Sequence, residues 1–353
     1  MNGSFVPRAE LAAVEWDPER KQWQRLAIER EALRALAERS TWSGLVRTGL
    51  FLCLLVGSAV LTMMAARISF WLAIAPAYLY FFFFGFCVAI GHELQHKTVF
   101  APGFDVFSEV LFFCVQACMW NSPRYARISH RLHHRYTMVR GCDPETAWPE
   151  VITTRWLRGY LFRLVRQMLV VGAIAQLGRD VRTQVARAAG RQDPMMRAHC
   201  TAADIRVIRW ESAAILAFHT AVVAAAIWFL RWEPIVFITL AWQIGSPFEN
   251  LWHSTEHIGR LYNVNDQRYA TRSVRVNRFF RLIYWGLDDH VDHHFYPIVP
   301  SCNLPKLHRL LQADLPEPKG MIACWREMFA IAREKDRQPH HEFVPVHTAA
   351  AGG

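Results

Sequence analysis

The chain has 353 residues, 52% of them hydrophobic and 13% aromatic, yet its mean hydropathy is only +0.07. That combination suits a protein lying partly in a bilayer and partly outside it, and no stretch inside the body reads as an interdomain linker. The formal net charge of +10 comes from arginines spread among apolar runs without a nucleic-acid-binding motif, so an anionic membrane surface, not nucleic acid, is the expected partner. The eight cysteines form no CxxC pair and several sit in apolar runs, which argues against a disulfide framework or a zinc ribbon.

Residues 1–44 read as a cytoplasmic amphipathic segment with no cleavable signal peptide. Within it, 17–38 is expected to be a helix, with Asp17 as N-cap, Pro18 at the first helical position, and Trp23, Leu26, Leu33 and Leu36 on its apolar face. Two apolar segments follow, at about 45–65 and 70–90, each long enough to cross roughly 30 Å of hydrocarbon. Residues 66–69 join them into a hairpin. A second hairpin is expected at 212–230 and 235–252, joined through Arg231–Pro234, with Gly245, Ser246 and Pro247 interrupting its last segment.

The expected fold is therefore an all-α integral membrane protein with two transmembrane hairpins, four spans in all. Trp42, Trp71, Trp210, Trp232 and Trp252 fall near the span ends, where an aromatic belt belongs. Arg67 and Arg231 are the only basic residues in the hairpin loops, which places both termini in the cytoplasm. Residues 106–120 are too short for a span and read as a re-entrant or interfacial helix. The stretch 155–190 sets Leu157, Tyr160, Leu161, Leu164 and Met168 opposite Arg155, Arg158 and Arg166, as in a helix lying on the membrane. Residues 45–320 form the expected catalytic domain, and 321–353 a final helix and polar tail whose His340, His341 and His347 read as bystanders.

Eight of the sixteen histidines fall in three clusters: His92 and His96 in HELQH, His130, His133 and His134 in HRLHH, and His290, His293 and His294 in HVDHH. Residues three and four apart share a helix face, so each box presents its imidazoles together. Neutral imidazole ligates iron, zinc and copper, and two HxxHH windows are far more than chance places in this composition. His253 and His257, four apart just after the last expected span, add a fourth element. Together these helices form a histidine-rich, metal-binding cap at the cytoplasmic ends of the spans. Glu93, Asp143, Glu145, Glu256, Asp288, Asp289 and Asp292 are candidates to hydrogen-bond the second ring nitrogen of a ligand.

HELQH, HRLHH and HVDHHFYPIVPSCNLPKLH, in this order around two hairpins, resemble the membrane fatty acid desaturase superfamily, which also holds alkane and acyl hydroxylases and carotenoid ketolases. The resemblance spans roughly 45–320 and is nearest to acyl desaturases in its last stretch. It implies a di-iron centre with O₂ as co-substrate, iron being replaceable by zinc on purification. The implied ligands are His92, His96, His130, His133, His134, His290, His293 and His294, with His257 as an extra ligand. Some relatives carry an Asn that reaches metal through water at the position of His253, which leaves the count at nine or ten. The implied activity is acyl desaturation, with hydroxylation or ketolation by the same ligands as the alternative, on a lipid or acyl-thioester substrate. The chain lacks a GxGxxG fingerprint, a haem module and a rubredoxin CxxC pair, so a separate ferredoxin, rubredoxin or cytochrome with its reductase supplies electrons. A metal transporter is set aside because only His219 lies mid-span. A zinc hydrolase is set aside as well.

Overall fold

The computed structural model describes residues 5–7, 16, 23–339 and 342–345. The expected cap at Asp17 and Pro18, and the bystanders His340, His341 and His347, lie outside them. The chain divides into two compact units: residues 1–39, 130–161 and 252–353 form one, and residues 40–129 and 162–251 the other.

In chain order, β1 (Phe5–Pro7) and α1 (Arg30–Leu36) precede a long helix α2 (Thr41–Ile68). Next come α3 (Phe70–Gly85), α4 (Cys87–His96), α5 (Asp105–Cys118) and α6 (Pro123–Tyr136). They lead to α7 (Thr154–Met168), α8 (Val170–Ala188), α9 (Pro194–His199) and α10 (Ala202–Trp228). A π-turn (Ile235–Thr239) then enters α11 (Ala241–His257) and α12 (Gln267–Ala270). The chain continues through β2 (Val274–Arg275), α13 (Arg278–Ile283), α14 (His290–Phe295), α15 (Leu304–Leu311), β3 (Lys319–Gly320), α16 (Met321–Arg337) and β4 (Phe343–Pro345). The sheets are minimal: β1 pairs antiparallel with β4, and β2 parallel with β3.

Among the described residues, three helices are long and apolar enough to cross a membrane: Thr41–Ile68, Phe70–His96 taken through its short break, and Ala202–Trp228. The packing of α2 is inverted relative to a water-soluble helix, whereas α3 buries Phe81, Phe83 and Phe84. α2 exposes Leu50, Val56, Leu61 and Met64 and buries Gly44, Thr48, Ser58 and Thr62. Small and hydroxylated residues inward, large apolar ones outward, is the pattern that hydrocarbon surroundings favour. Ser58 and Thr62 donate to the helix's own carbonyls at Leu54 (2.8 Å) and Ser58 (2.7 Å), so neither hydroxyl reaches lipid unpaired. His219, midway along α10, is buried and stacks on Trp120 at 3.8 Å, its Nε2 lying 3.0 Å from the Ala117 carbonyl.

Three expectations need correction. The fourth span is not one continuous helix, because the π-turn and Leu240 separate Pro234 from α11. Gly245 and Pro247 do not interrupt α11. A Cβ on Gly245 would come within 2.5 Å of the Phe81 carbonyl, so glycine permits the close crossing of α3. Pro247 cannot donate to the Gln243 carbonyl, and the Gln167 amide does so instead at 3.0 Å, bonding Ser246 Oγ as well.

Residues 155–190 are likewise not one helix. α7 and α8 meet at Leu169 with a bend of 95°. Gly172 packs so close to the Arg166 carbonyl that a Cβ would lie 2.1 Å away, which makes the corner possible.

The third correction concerns 17–38, whose described part is helical only over Arg30–Leu36. Trp23–Glu29 runs as irregular chain because its backbone groups bond elsewhere. The Gln24 amide donates to the Asn265 carbonyl (2.7 Å), and the Tyr296 hydroxyl donates to the Leu26 carbonyl. Leu26 and Leu36 are buried as expected, but in a protein core with Val291, Val299, Leu304, Leu307 and Leu311. Asn303 ties this core to α1 by donating to the Leu36 carbonyl at 2.9 Å.

Candidate metal centre

In the unit that holds α14, four buried imidazoles converge: His133 of α6, His257 at the end of α11, and His290 and His294 of α14. One ligand atom from each lies within 4.8 Å of every other. His290 Nε2 is 3.1 Å from His257 Nε2 and 3.1 Å from His294 Nε2. The i, i+4 spacing in α14 stacks His290 over His294, and α6 meets them with His133.

The outward nitrogens show which atoms face inward. His133 Nδ1 lies 3.0 and 3.1 Å from the two Asp143 carboxylate oxygens, which only accept, so it carries the proton. His257 Nδ1 donates to the Ala270 carbonyl at 3.3 Å. Thr137 gives its hydroxyl proton to the His133 carbonyl (2.8 Å), so its oxygen accepts from His294 Nδ1 at 3.2 Å. Three of the four imidazoles therefore hold Nδ1–H, leaving their Nε2 lone pairs inward. Lone pairs facing each other repel unless a cation lies among them. Metal–nitrogen bonds of about 2.0–2.1 Å put neighbouring donors about 2.8–3.4 Å apart at octahedral to tetrahedral angles, a range that holds the observed spacings.

His130, His134 and His293 form a second convergence in the same unit. His134 Nε2 lies 3.0 Å from His130 Nε2 and 3.2 Å from His293 Nε2, and Glu145 sits 3.2 Å from His130 Nδ1. His92 and His96 belong to the other unit, one turn apart in the second half of α4, with ring centroids 5.0 Å apart. Glu93 lies 3.4 Å from His92 Nδ1.

Burial holds His257, His290, His293 and His294 well below the ordinary histidine range, so all four are neutral at pH 7, the form that ligates metal. His133 differs. Burial pulls it down, but the adjacent Asp143 carboxylate outweighs this and raises it. Asp143 itself is held low by His133 and three further donors, Met138 N–H, Glu145 N–H and Thr146 Oγ, which outweigh its burial.

Of the seven carboxylates expected behind ligand nitrogens, Asp143 and Glu145 stand there in this unit, and Glu93 stands beside His92 in the other. Asp288 and Asp289 bind Arg281 instead, at 2.5 and 3.1 Å. Asp292 accepts from His308 Nδ1 at 3.1 Å, and Asp289, Asp292 and His308 form a third close group. His308 stands in the quoted motif NLPKLH, but one HxxHH box gives no sign that a helix fourteen residues later returns to it. Thr137 and the Ala270 carbonyl were missed for a similar reason, since a hydroxyl or a backbone oxygen carries no motif. His253 lies outside the group of four. Its Nδ1 is 2.8 Å from Glu256 Oε2, and its ring centroid is 5.9 Å from that of His257.

A cavity of about 1050 Å³ opens beside the two convergences, lined by Trp23–Ile28, Leu33, Gln267, Phe295–Ile298, His134 and His294. It gives access from outside to one imidazole of each group.

The fatty acid desaturase family model matches residues 69–325, and the chain belongs to that family. No curated protein matches it. Membership makes the chain an oxidoreductase of the desaturase and hydroxylase type, and the histidine groups suit the metal site such an enzyme needs. It also decides against a zinc hydrolase. Spelling alone does not, since His92-Glu93-Leu94-Gln95-His96 fits the H-E-x-x-H pattern of those enzymes.

Proposed function

We propose that this protein is an O₂-dependent di-iron desaturase that introduces a double bond into a fatty acyl chain, with its active site at the cytoplasmic face of a four-span membrane domain. The observation that carries the reading is the convergence of imidazole lone pairs in two groups within one unit. His133, His257, His290 and His294 hold one ion, and His130, His134 and His293 contribute to the second. On their sequence motif alone, His92 and His96 complete the second set, and His253 is the candidate for a tenth ligand.

Bound there, iron supplies, with O₂, an oxidant able to remove hydrogen from an unactivated methylene. The chain's own residues prepare that chemistry. Asp143, Glu145, Thr137 and the Ala270 carbonyl fix ring orientation, so that little reorganisation accompanies turnover. Burial keeps the ligands neutral and limits water at the centre. The substrate is a lipid or acyl thioester. Electrons come from a separate acidic carrier, which the chain's positive charge suits.

Hydroxylation or ketolation would use the same ligands, so product analysis decides. Mass spectrometry of total lipids from a host expressing the chain should show acyl chains two hydrogens lighter, absent with His133→Ala. Hydroxylated products and no new alkene would overturn the desaturase reading.

A further inference from the structure

In the unit that holds the spans, a cavity of about 360 Å³ lies between the end of α2 and the turn after α10. That volume falls within the roughly 300–1,000 Å³ of small-molecule sites. The cavity is at the α2–α3 turn, and HELQH lies at the other end of the span Phe70–His96. One wall is a single face of α2, made by Val60, Met63, Met64 and Arg67 at i, i+3, i+4 and i+7. At 1.5 Å per residue this face runs about 10 Å along the helix, apolar first and cationic at its end. The opposite wall is Arg231, Trp232 and Glu233. Arg231 grips Glu233 with both Nη2 (2.5 Å to Oε1) and Nε (3.2 Å to Oε2), so these two charges cancel. Arg67 is exposed, and among the described residues no carboxylate pairs with it. The cavity therefore keeps one uncancelled positive charge. Phe70, Trp71, Trp228 and Phe229, next to these helix ends in the chain, are exposed, as aromatic side chains at headgroup depth are.

We propose that this cavity binds one anionic phospholipid, its phosphate on Arg67 and Arg231 and the first part of an acyl chain along Val60, Met63 and Met64. A soluble anion would leave the apolar face unused, and a neutral hydrocarbon would leave Arg67 unanswered. An amphiphile with an acidic headgroup satisfies both walls. Guanidinium groups take phosphate oxygens through paired N–H donors, and the unbranched methionines adapt to a mobile chain. Glu233 sets the selectivity, because by cancelling Arg231 it holds the site at one net positive charge. The lipid sits in the leaflet at the far end of the span from HELQH, so the site is independent of the metal-centre reading.

The test uses the full-length protein in phosphatidylcholine nanodiscs carrying a trace of photoreactive lipid, either phosphatidylglycerol or phosphatidylcholine, with the reactive group near the glycerol. Crosslinks are mapped by peptide mass spectrometry. In wild type, residues 60–67 and 231–233 should be labelled about fivefold more by phosphatidylglycerol than by phosphatidylcholine, the preference expected of one basic residue at a membrane surface. Unlabelled phosphatidylglycerol should suppress that labelling, and inorganic phosphate should not. Arg67→Gln should cut the phosphatidylglycerol yield about fivefold. Glu233→Gln, which frees Arg231, should raise it by a similar factor, a gain that a purely structural ion pair would not give. Equal wild-type yields from the two lipids, or unchanged labelling in Arg67→Gln, would overturn the proposal. Suppression by inorganic phosphate would make the site one for a free anion, and no gain in Glu233→Gln would show that charge does not select the occupant; either overturns it. If Arg67→Gln fails to fold, the wild-type comparison and Glu233→Gln still decide.

Discussion

Asp143→Asn is the most informative single change at the centre. The carboxylate is fully enclosed and accepts from His133 Nδ1 with both oxygens, from Glu145 N–H with Oδ1 (2.9 Å), and from Met138 N–H and Thr146 Oγ with Oδ2 (2.9 and 2.6 Å). An asparagine has one accepting oxygen. Oriented to serve Glu145 N–H and His133, it turns its NH₂ toward the Met138 amide and leaves that buried donor unpaired, at a cost of about 1–3 kcal/mol. His133 also loses the charge that fixes its tautomer and strengthens its inward lone pair. Supporting groups of this kind are worth about 10–100-fold in metal affinity. The expected outcome is folded, membrane-inserted protein, a lower melting temperature, and a dissociation constant for one ion raised by one to two decades while the other is unchanged. Elemental analysis after dialysis against a graded chelator series reads this directly. Asp143→Asn protein with wild-type affinity for both ions would show that the Asp143–His133 pair is structural and refute the argument.

His133→Ala and His293→Ala should each abolish turnover while the chain still reaches the membrane, and His96→Ala should do the same if the first box belongs to the centre. Residual turnover in any of them removes that residue from the ligand set, while Ala at His340, His341 or His347 should be silent. Because burial sets His257, His290, His293 and His294 below the ordinary 6.5, protons compete for those four imidazoles only as pH falls through the depressed values, while His133, raised by Asp143, takes up its proton first. Loaded protein dialysed at progressively lower pH should therefore weaken first at the ion that His133 serves, and stronger retention of that ion than of the other would contradict the assigned cause. Ala27→Trp, which fills the cavity beside His134 and His294, should slow chelator extraction of metal without changing the number of ions bound. An unchanged extraction rate would mean that access lies elsewhere.

What could be read in the sequence was what a single helix encodes. The boxes were legible because HxxHH places its rings on one face whatever surrounds it, and Asp143 and Glu145 because they follow α6 within a few residues. Thr137, the Ala270 carbonyl and the Asp292–His308 pair became visible only when α14 met α6, α12 and α15, contacts that no local pattern announces. The irregular course of Trp23–Glu29 was hidden for the same reason: its apolar spacing is helical, but Asn265 and Tyr296 take backbone groups a helix would need. The corner at Leu169 hides in a sequence whose residues all tolerate a helix, and only the contact between Gly172 and the Arg166 carbonyl marks it. Gly245 and Pro247 misled in the opposite direction, since Gln167 satisfies the carbonyl that Pro247 leaves.

The central claim is that the two imidazole convergences hold a pair of metal ions. Counting iron per chain by elemental analysis in catalytically active preparations tests it most directly. The account predicts two per chain, falling to one in His290→Ala. Active protein carrying one metal ion or none would contradict it.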